Sequence, residues 1–213
     1  MQHRRKKILI TTIAVIAIGF IVLSILVLLF PESSIDRSFS ANVQAHRYPA
    51  LDVLMKAVSY PGYTEYAGVM AAVIAGVFLI FKYRKEALFV VLTLASGIVS
   101  SAVKLLVNRP RPSQDIVSVL EKTRQQSFPS GHTQFYVVFF GFMVVLMYTL
   151  KTLPAWLRLS ISSVSLLMIF IVPFSRVYLG AHWFTDVLGG FMLGLICLSV
   201  LSYWYLRKQG EKI

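Results

Sequence analysis

Cysteine occurs once in these 213 residues, and acidic residues only nine times. The single thiol, Cys197, lies inside an apolar run; it cannot close an internal disulfide, and the redox compartment is not readable from it. Cys and His nowhere take a zinc-type spacing, and the nine acids and four histidines form no two-metal cluster. Charge as a whole is scarce, at 14% of residues, which falls outside the range of an ordinary soluble domain. Strand-length alternation is missing from the apolar stretches, so they read as helices that satisfy their own backbone polar groups. No internal repeat or low-complexity tract interrupts them, and residues 1–213 read as a single domain.

What is present is apolar residue in long runs: 57% of the chain is hydrophobic, with a mean hydropathy of +0.72. Six segments stand out, Ile8–Phe30, Tyr66–Phe81, Ala87–Val107, Thr133–Leu150, Trp156–Phe174 and Phe184–Leu206. At 1.5 Å per residue they extend about 24–35 Å, enough to cross a bilayer with modest tilt. The expected fold class is therefore an all-α membrane protein with six transmembrane helices. The basic stretch from Met1 to Lys7 resembles the start of a signal peptide, but the apolar run after it is too long and Phe30-Pro31-Glu32 is a poor cleavage site. The first segment reads as an uncleaved span.

Basic residues outnumber acids 21 to 9, a net charge of +12. They do not form a stripe interleaved with aromatics, so nucleic acid is not an expected partner. They gather at the ends of the apolar runs, as topology signals and headgroup contacts do. Arg4, Arg5, Lys6, Lys7, Lys82, Arg84, Lys85, Lys151, Arg158, Arg207, Lys208 and Lys212 fall on one side. Arg37, Arg47, Lys56, Arg109, Arg111, Lys122, Arg124 and Arg176 fall on the other. By the positive-inside rule both termini are cytoplasmic. The long loop from Pro31 to Glu65 then lies outside the cytoplasm. Its Ile35, Phe39, Val43, Leu51, Leu54, Met55 and Val58 recur at helical spacing, which predicts short amphipathic helices at the membrane surface, parted near Tyr48-Pro49.

Three polar blocks sit at span ends on that same extracytoplasmic side, and charge at membrane depth is costly and usually functional. Lys104 precedes Arg111-Pro112 by seven residues, and the two prolines of Asn108-Arg109-Pro110-Arg111-Pro112 turn the chain out of the helix so that both cations can converge. Such a pair suits phosphate, although a lysine at a span end also snorkels to headgroups without any other role. Pro129-Ser130-Gly131-His132 opens the fourth span, where free N–H groups and the helix dipole favour an anion. Ser130 can cap the helix and Gly131 allows close backbone approach, but a plain cap with an incidental histidine reads the same way. Ser175-Arg176 is followed by His182 and Asp186, four residues apart, which on a helix would share a face. A carboxylate on one imidazole nitrogen raises the basicity of the other, although an i,i+4 structural pair has the same spacing. Trp183 and Phe184 read as interfacial aromatics, and His3 and His46 as solvated.

The order Lys-x6-Arg-Pro, Pro-Ser-Gly-His, Ser-Arg-x5-His-x3-Asp resembles, without a departure, the three-part signature of the type 2 phosphatidic acid phosphatase superfamily, and it spans Lys104 to Asp186. Before Lys104 the likeness is one of layout. The resemblance implies that His182 is a nucleophile taking the phosphoryl group as phosphohistidine and that Asp186 orients it. It implies that His132 protonates the leaving group and then activates water. Lys104, Arg111 and Arg176, with Ser130 and the Gly131 N–H, would hold the non-bridging oxygens. No metal or other cofactor is implied, since the cations neutralise the equatorial charge.

The expected activity is hydrolysis of a lipid phosphate or diphosphate by an integral-membrane enzyme in the cell membrane. Phosphatidic acid, phosphatidylglycerol phosphate, undecaprenyl diphosphate and phosphorylated lipid A are the substrates the resemblance offers. A phosphotransferase sharing the intermediate is a second reading. A non-enzymatic transporter of anionic lipid explains the cations but leaves His132, His182 and Asp186 without work, and paired half-spans broken by Gly or Pro are missing.

Overall fold

The computed structural model describes residues 2–210 apart from Lys122 and Arg124, and side chains from Lys7 to Arg207. The side chains of His3, Arg4, Arg5, Lys6 and Lys208, and the whole of Lys122, Arg124 and Lys212, which enter the sequence reading above, lie outside the described residues. Among the described residues all regular structure is helical. The α-helices are α1 (Gln2–Leu29), α2 (Ser34–Gln44), α3 (Pro49–Ser59), α4 (Thr64–Ile80), α5 (Arg84–Leu92), α6 (Ser96–Val107), α7 (Gly131–Thr149), α8 (Ala155–Tyr178) and α9 (Phe184–Gly210).

Five paths are long and apolar enough to cross a bilayer alone: Lys7–Leu29, Arg84–Val107, Gly131–Thr149, Ala155–Tyr178 and Phe184–Arg207. A sixth is reached only by counting α3 and α4 as one unit, bent by 63° at Tyr63. The third span, expected as one helix, is α5 and α6 joined by a 3₁₀ turn at Thr93–Ala95. Hydroxyls account for the break. Thr93 Oγ1 donates to Val90 O at 2.6 Å and Ser96 Oγ to Thr93 O at 2.7 Å, bonds that compete with the regular helical ladder. The Ser96 carbonyl turns to accept Gln134 Nε2 from α7.

The first loop forms two short helices as the periodicity predicts. Ser33 caps α2 by accepting from Asp36 N, and Pro49 occupies the first turn of α3, where its missing N–H costs nothing. The centre of the bundle is α7, whose Phe135, Tyr136, Phe139, Phe142, Leu146 and Met147 are buried. Phe142 and Phe89 of α5 pack against Tyr205 of α9, with ring centroids 5.4 Å apart in each pair. Apolar side chains of α1 such as Val15, Ile18 and Val22 point outward, as they must where lipid rather than water is the solvent.

The two ends of the bundle differ. At one, Lys85 Nζ donates to Tyr205 O and Tyr83 Oη lies 2.9 Å from Thr152 Oγ1, gathering the basic turns and the end of α9. At the other, the segment 108–130 between α6 and α7 lies over the ends of α8 and α9. Gln44 of α2 stitches this segment down: its Nε2 donates to Ser118 O and Tyr178 O, and its Oε1 accepts Ser118 N. Gly180, with φ of +65°, turns the chain between α8 and α9 directly beneath Ser118, so that a Cβ there would strike the Ser118 carbonyl oxygen. Gly180→Ala therefore carries both a left-handed backbone penalty of roughly 1–2 kcal/mol and a steric clash. The expected result is a lower thermal midpoint in detergent; an unchanged midpoint would show that the 118–120 strap lifts freely.

Candidate active site

Each span end contributes to one cluster. The last turn of α6 supplies Lys104, which is buried and donates through Nζ to Gln126 O at 2.7 Å. Asn108, at φ of +45°, ends α6 in the left-handed conformation, and the two prolines then carry the chain away from the helix axis. Arg111 follows, with Nε donating to Gln125 O at 2.6 Å and Nη1 to Ala181 O at 2.6 Å. The same Nη1 lies 3.4 Å from His182 Nε2. Burial and the neighbouring Arg176 guanidinium bring Arg111 down to about 10, still cationic at neutral pH. A cleft of about 410 Å³ opens beside it, lined by Asn108, Arg109, Pro110, Thr123, Gln125 and Gln126.

Ser130 caps α7 as expected: its Oγ accepts from Thr133 N at 3.4 Å and Thr133 Oγ1 at 3.1 Å. Its backbone N donates to Asp186 O at 2.9 Å, locking the start of α7 to the start of α9. His132 projects from the first turn of α7 with Nε2 buried and unpartnered among the described residues, its ring edge-on to Tyr63 at 5.0 Å. Space there is tight. A Cβ on Gly62 would come within 2.5 Å of His132 Cδ2, so the break between α3 and α4 has glycine where it passes the imidazole.

Two expectations need correction. His182 and Asp186 do not share a helix: α9 starts at Phe184, so His182 stands in the turn before it and Asp186 in the first turn. The pair still meets, with His182 Nδ1 3.5 Å from Asp186 Oδ2. Ser127 sits between them, donating to Asp186 Oδ2 at 2.5 Å and lying 3.5 Å from His182 Nδ1. Trp183 is not interfacial but fully buried, with the Arg109 guanidinium 5.9 Å from its ring centroid. Arg176 stands on the last turn of α8, which runs past the expected end at Phe174, and it is paired. It donates to both oxygens of Glu121, at 2.8 and 2.6 Å, and its Nε has no partner among the described residues.

The sequence reading missed Glu121, Ser127, Arg109, Asp36 and Thr185. Arg109 had a signal, since it stands inside the same Arg-Pro-Arg-Pro turn as Arg111. It is buried and bridges two carboxylates, Asp36 at 2.7 Å and Asp186 at 2.5 Å. For Glu121, burial acts to raise its pKa, but the Arg176 hydrogen bonds and charge outweigh that and hold its carboxyl below the usual range. The reach from 121 to 176 has no local periodicity to betray it.

Burial, followed by the nearby Arg111, Lys104 and Arg176 cations, pushes His182 well below its ordinary value of 6.5. The resting imidazole is neutral, with Nδ1 toward Asp186 and Nε2 toward Arg111. Nε2 is therefore the ring nitrogen turned away from the carboxylate.

Residues 85–210 match the family model of the PAP2 superfamily. The chain is 26% identical to phosphatidylglycerophosphatase B of Bacillus subtilis over 183 residues, covering 84% of this chain and 85% of that protein. It is 32% identical to an undecaprenyl-diphosphatase of Sulfolobus acidocaldarius over 126 residues, covering 57% of this chain and 56% of that one. Among three of the curated relatives it matches, the chain spans from 42% to 85% of their length. The fold is that of a solved Bacillus subtilis transmembrane PAP2-type phosphatidylglycerolphosphate phosphatase, with a TM-score of 0.76 at 24% identity, covering 94% of this chain and 96% of that one. The class is that of multi-pass membrane proteins. The chain belongs to the PAP2 superfamily, the family its three motifs resemble.

The depressed value of His182 has a consequence for stability. The unfolded chain takes up a proton near pH 6.5 that the folded site refuses, so this group's contribution is present above that value and lost as pH falls through it. Wild-type protein in detergent should lose thermal stability between neutral pH and about pH 5.5, and His182→Gln should lose less. Equal losses would show that His182 accepts the proton in place.

Proposed function

We propose that the 213 residues act as one lipid phosphatase domain, hydrolysing the phosphate or diphosphate of a membrane lipid through a phosphohistidine at His182. The observation that carries this reading is the two-sided environment of the His182 ring, with a carboxylate at Nδ1 and a guanidinium at Nε2. A phosphoryl group drawn to Arg111 arrives where the Nε2 lone pair points. As the N–P bond forms and the P–O bond breaks, the ring becomes cationic and Asp186 stabilises it. Lys104, Arg111 and Arg176 hold the equatorial oxygens once Gln125, Gln126 and Glu121 yield, with the Gly131 N–H and Ser130 hydroxyl as further donors. His132, its buried Nε2 without a competing partner among the described residues, gives its proton to the leaving oxygen and then takes one from the water that attacks the phosphohistidine. The cations supply the charge that a metal would otherwise supply, so no cofactor enters the scheme.

The positive-inside distribution supports both termini in the cytoplasm and the site at the outer headgroup layer of the cell membrane, with lipid tails remaining in the bilayer. The named relatives act on phosphatidylglycerophosphate and undecaprenyl diphosphate, and these are the first substrates to assay.

His182→Ala should abolish phosphate release from both lipids while the protein still inserts and elutes as a single species. Release near the wild-type rate from that variant would sink the nucleophile assignment. His132→Ala should slow lipid substrates by about 10²–10⁴ and a nitrophenyl ester much less, because a good leaving group needs no proton. Equal losses on both would remove His132 from the acid role. Chelator should leave the wild-type rate unchanged.

A further inference from the structure

Arg109 and Asp36 stand outside the three motifs, yet they are among the most deeply buried charges in the molecule, at 2% and 0% exposure. Burying an ion costs several kcal/mol unless its partners are well placed, and here they are. Asp36 Oδ1 accepts Thr185 N at 2.9 Å and Thr185 Oγ1 at 3.0 Å. Its Oδ2 accepts Arg109 Nη2 at 2.7 Å and Ser33 Oγ at 2.8 Å. The carboxylate thus lies in the first turn of α2 and against the first turn of α9, at two positive dipole ends. Arg109 donates through Nε to Pro31 O, through Nη1 to Thr185 Oγ1 and Asp186 Oδ1, and through Nη2 to Asp36. One guanidinium therefore serves two carboxylates. It occupies Oδ1 of Asp186 and leaves Oδ2, which also accepts Ser127 Oγ and Trp183 N, turned toward His182 Nδ1.

We propose that Arg109 and Asp36 are positioning residues that set how much of the Asp186 charge reaches His182. Arg109 draws on that charge, and Asp36 moderates Arg109. The inference rests on the reading of His182 as nucleophile. The other groups facing His182 are Arg111 on the 108–130 segment, Lys104 on α6, Arg176 on α8 and His132 on α7, with Ser127 at Nδ1 and Glu121 behind Arg176. None of these is itself substituted in the Asp36 and Arg109 variants.

The two residues have opposite signs, and that separates an electrostatic role from a merely structural one. Asp36→Asn leaves the whole Arg109 cation to Asp186, disfavours the His182 imidazolium, and moves the acid limb of phosphoryl transfer to lower pH. Arg109→Gln leaves Asp186 unneutralised and moves that limb to higher pH. Each shift should be about one pH unit, the effect of a unit charge near 10 Å at an effective dielectric of about 20. Arg109→Lys keeps the charge with fewer donors, so it should lower the rate without moving the limb.

The test is single-turnover phosphoryl transfer from a short-chain phosphatidic acid to the full chain in detergent, across about pH 4 to 8, with trapping of the phosphoenzyme. Opposite shifts in the two neutral variants, and none in Arg109→Lys, support the proposal. Shifts of the same sign, or unmoved limbs in active variants, overturn it. Where one neutral variant does not fold, the double variant takes its place: its limb must lie below that of Arg109→Gln alone or above that of Asp36→Asn alone, and the reverse order overturns the proposal. If wild type forms no phosphoenzyme, the reading of His182 itself has failed; if wild type forms it and the limbs stay fixed, only the positioning role has.

Discussion

Arg109 lies where the end of α1, the start of α2 and the start of α9 converge, and its guanidinium has an acceptor on each: Pro31 O, Asp36 and Asp186. Beyond the reach of water, removing one partner of such a set costs roughly 3–5 kcal/mol, because the remaining charge is left uncompensated. The segment carrying Arg109 also carries Arg111, two residues on, so the geometry at His182 follows from where Arg109 is pinned. The loop helices thereby help to build the end of the bundle that holds His182. Through Asp36, α2 is tied to the same carboxylate that faces the histidine.

The second constraint is electrostatic crowding. Lys104, Arg111 and Arg176 approach one another closely enough that Arg111 and Lys104 each feel the others' charge. Such a cluster is tolerated because each member has an acceptor to hand. For Lys104 and Arg111 these are backbone carbonyls of Gln125, Gln126 and Ala181. Carbonyl oxygens satisfy hydrogen bonds without cancelling charge, so the cluster keeps its positive potential. A full set of carboxylate partners would have silenced it.

Spans, loop helices and the Ser130 cap were legible in the sequence because each has a local signature: an apolar run, a helical period, a cap residue ahead of a helix. The motif residues were legible too, since their order is distinctive, and the structure brings Lys104, Arg111, Arg176, His132, His182 and Asp186 to one end of the bundle. What the sequence did not reveal is long-range pairing. Asp36 reaches Thr185 and Arg109 across a gap no periodicity records, and Glu121 meets Arg176 from an irregular segment. The 3₁₀ break at Thr93–Ala95 was hidden for another reason. Thr93 and Ser96 look unremarkable inside an apolar run until their hydroxyls are seen to bond back to the helix. Trp183 was misplaced because a tryptophan at a span end has two good positions, and only the buried Arg109 beside it decides between them.

The Glu121–Arg176 pair has a thermodynamic corollary. An anion reaching Arg176 must replace a carboxylate that already makes two hydrogen bonds to it. Its affinity is then a difference between two similar contacts rather than the full strength of one. A site built this way exchanges ligands instead of hoarding them. It can carry a strong local field and still release a small, highly charged anion.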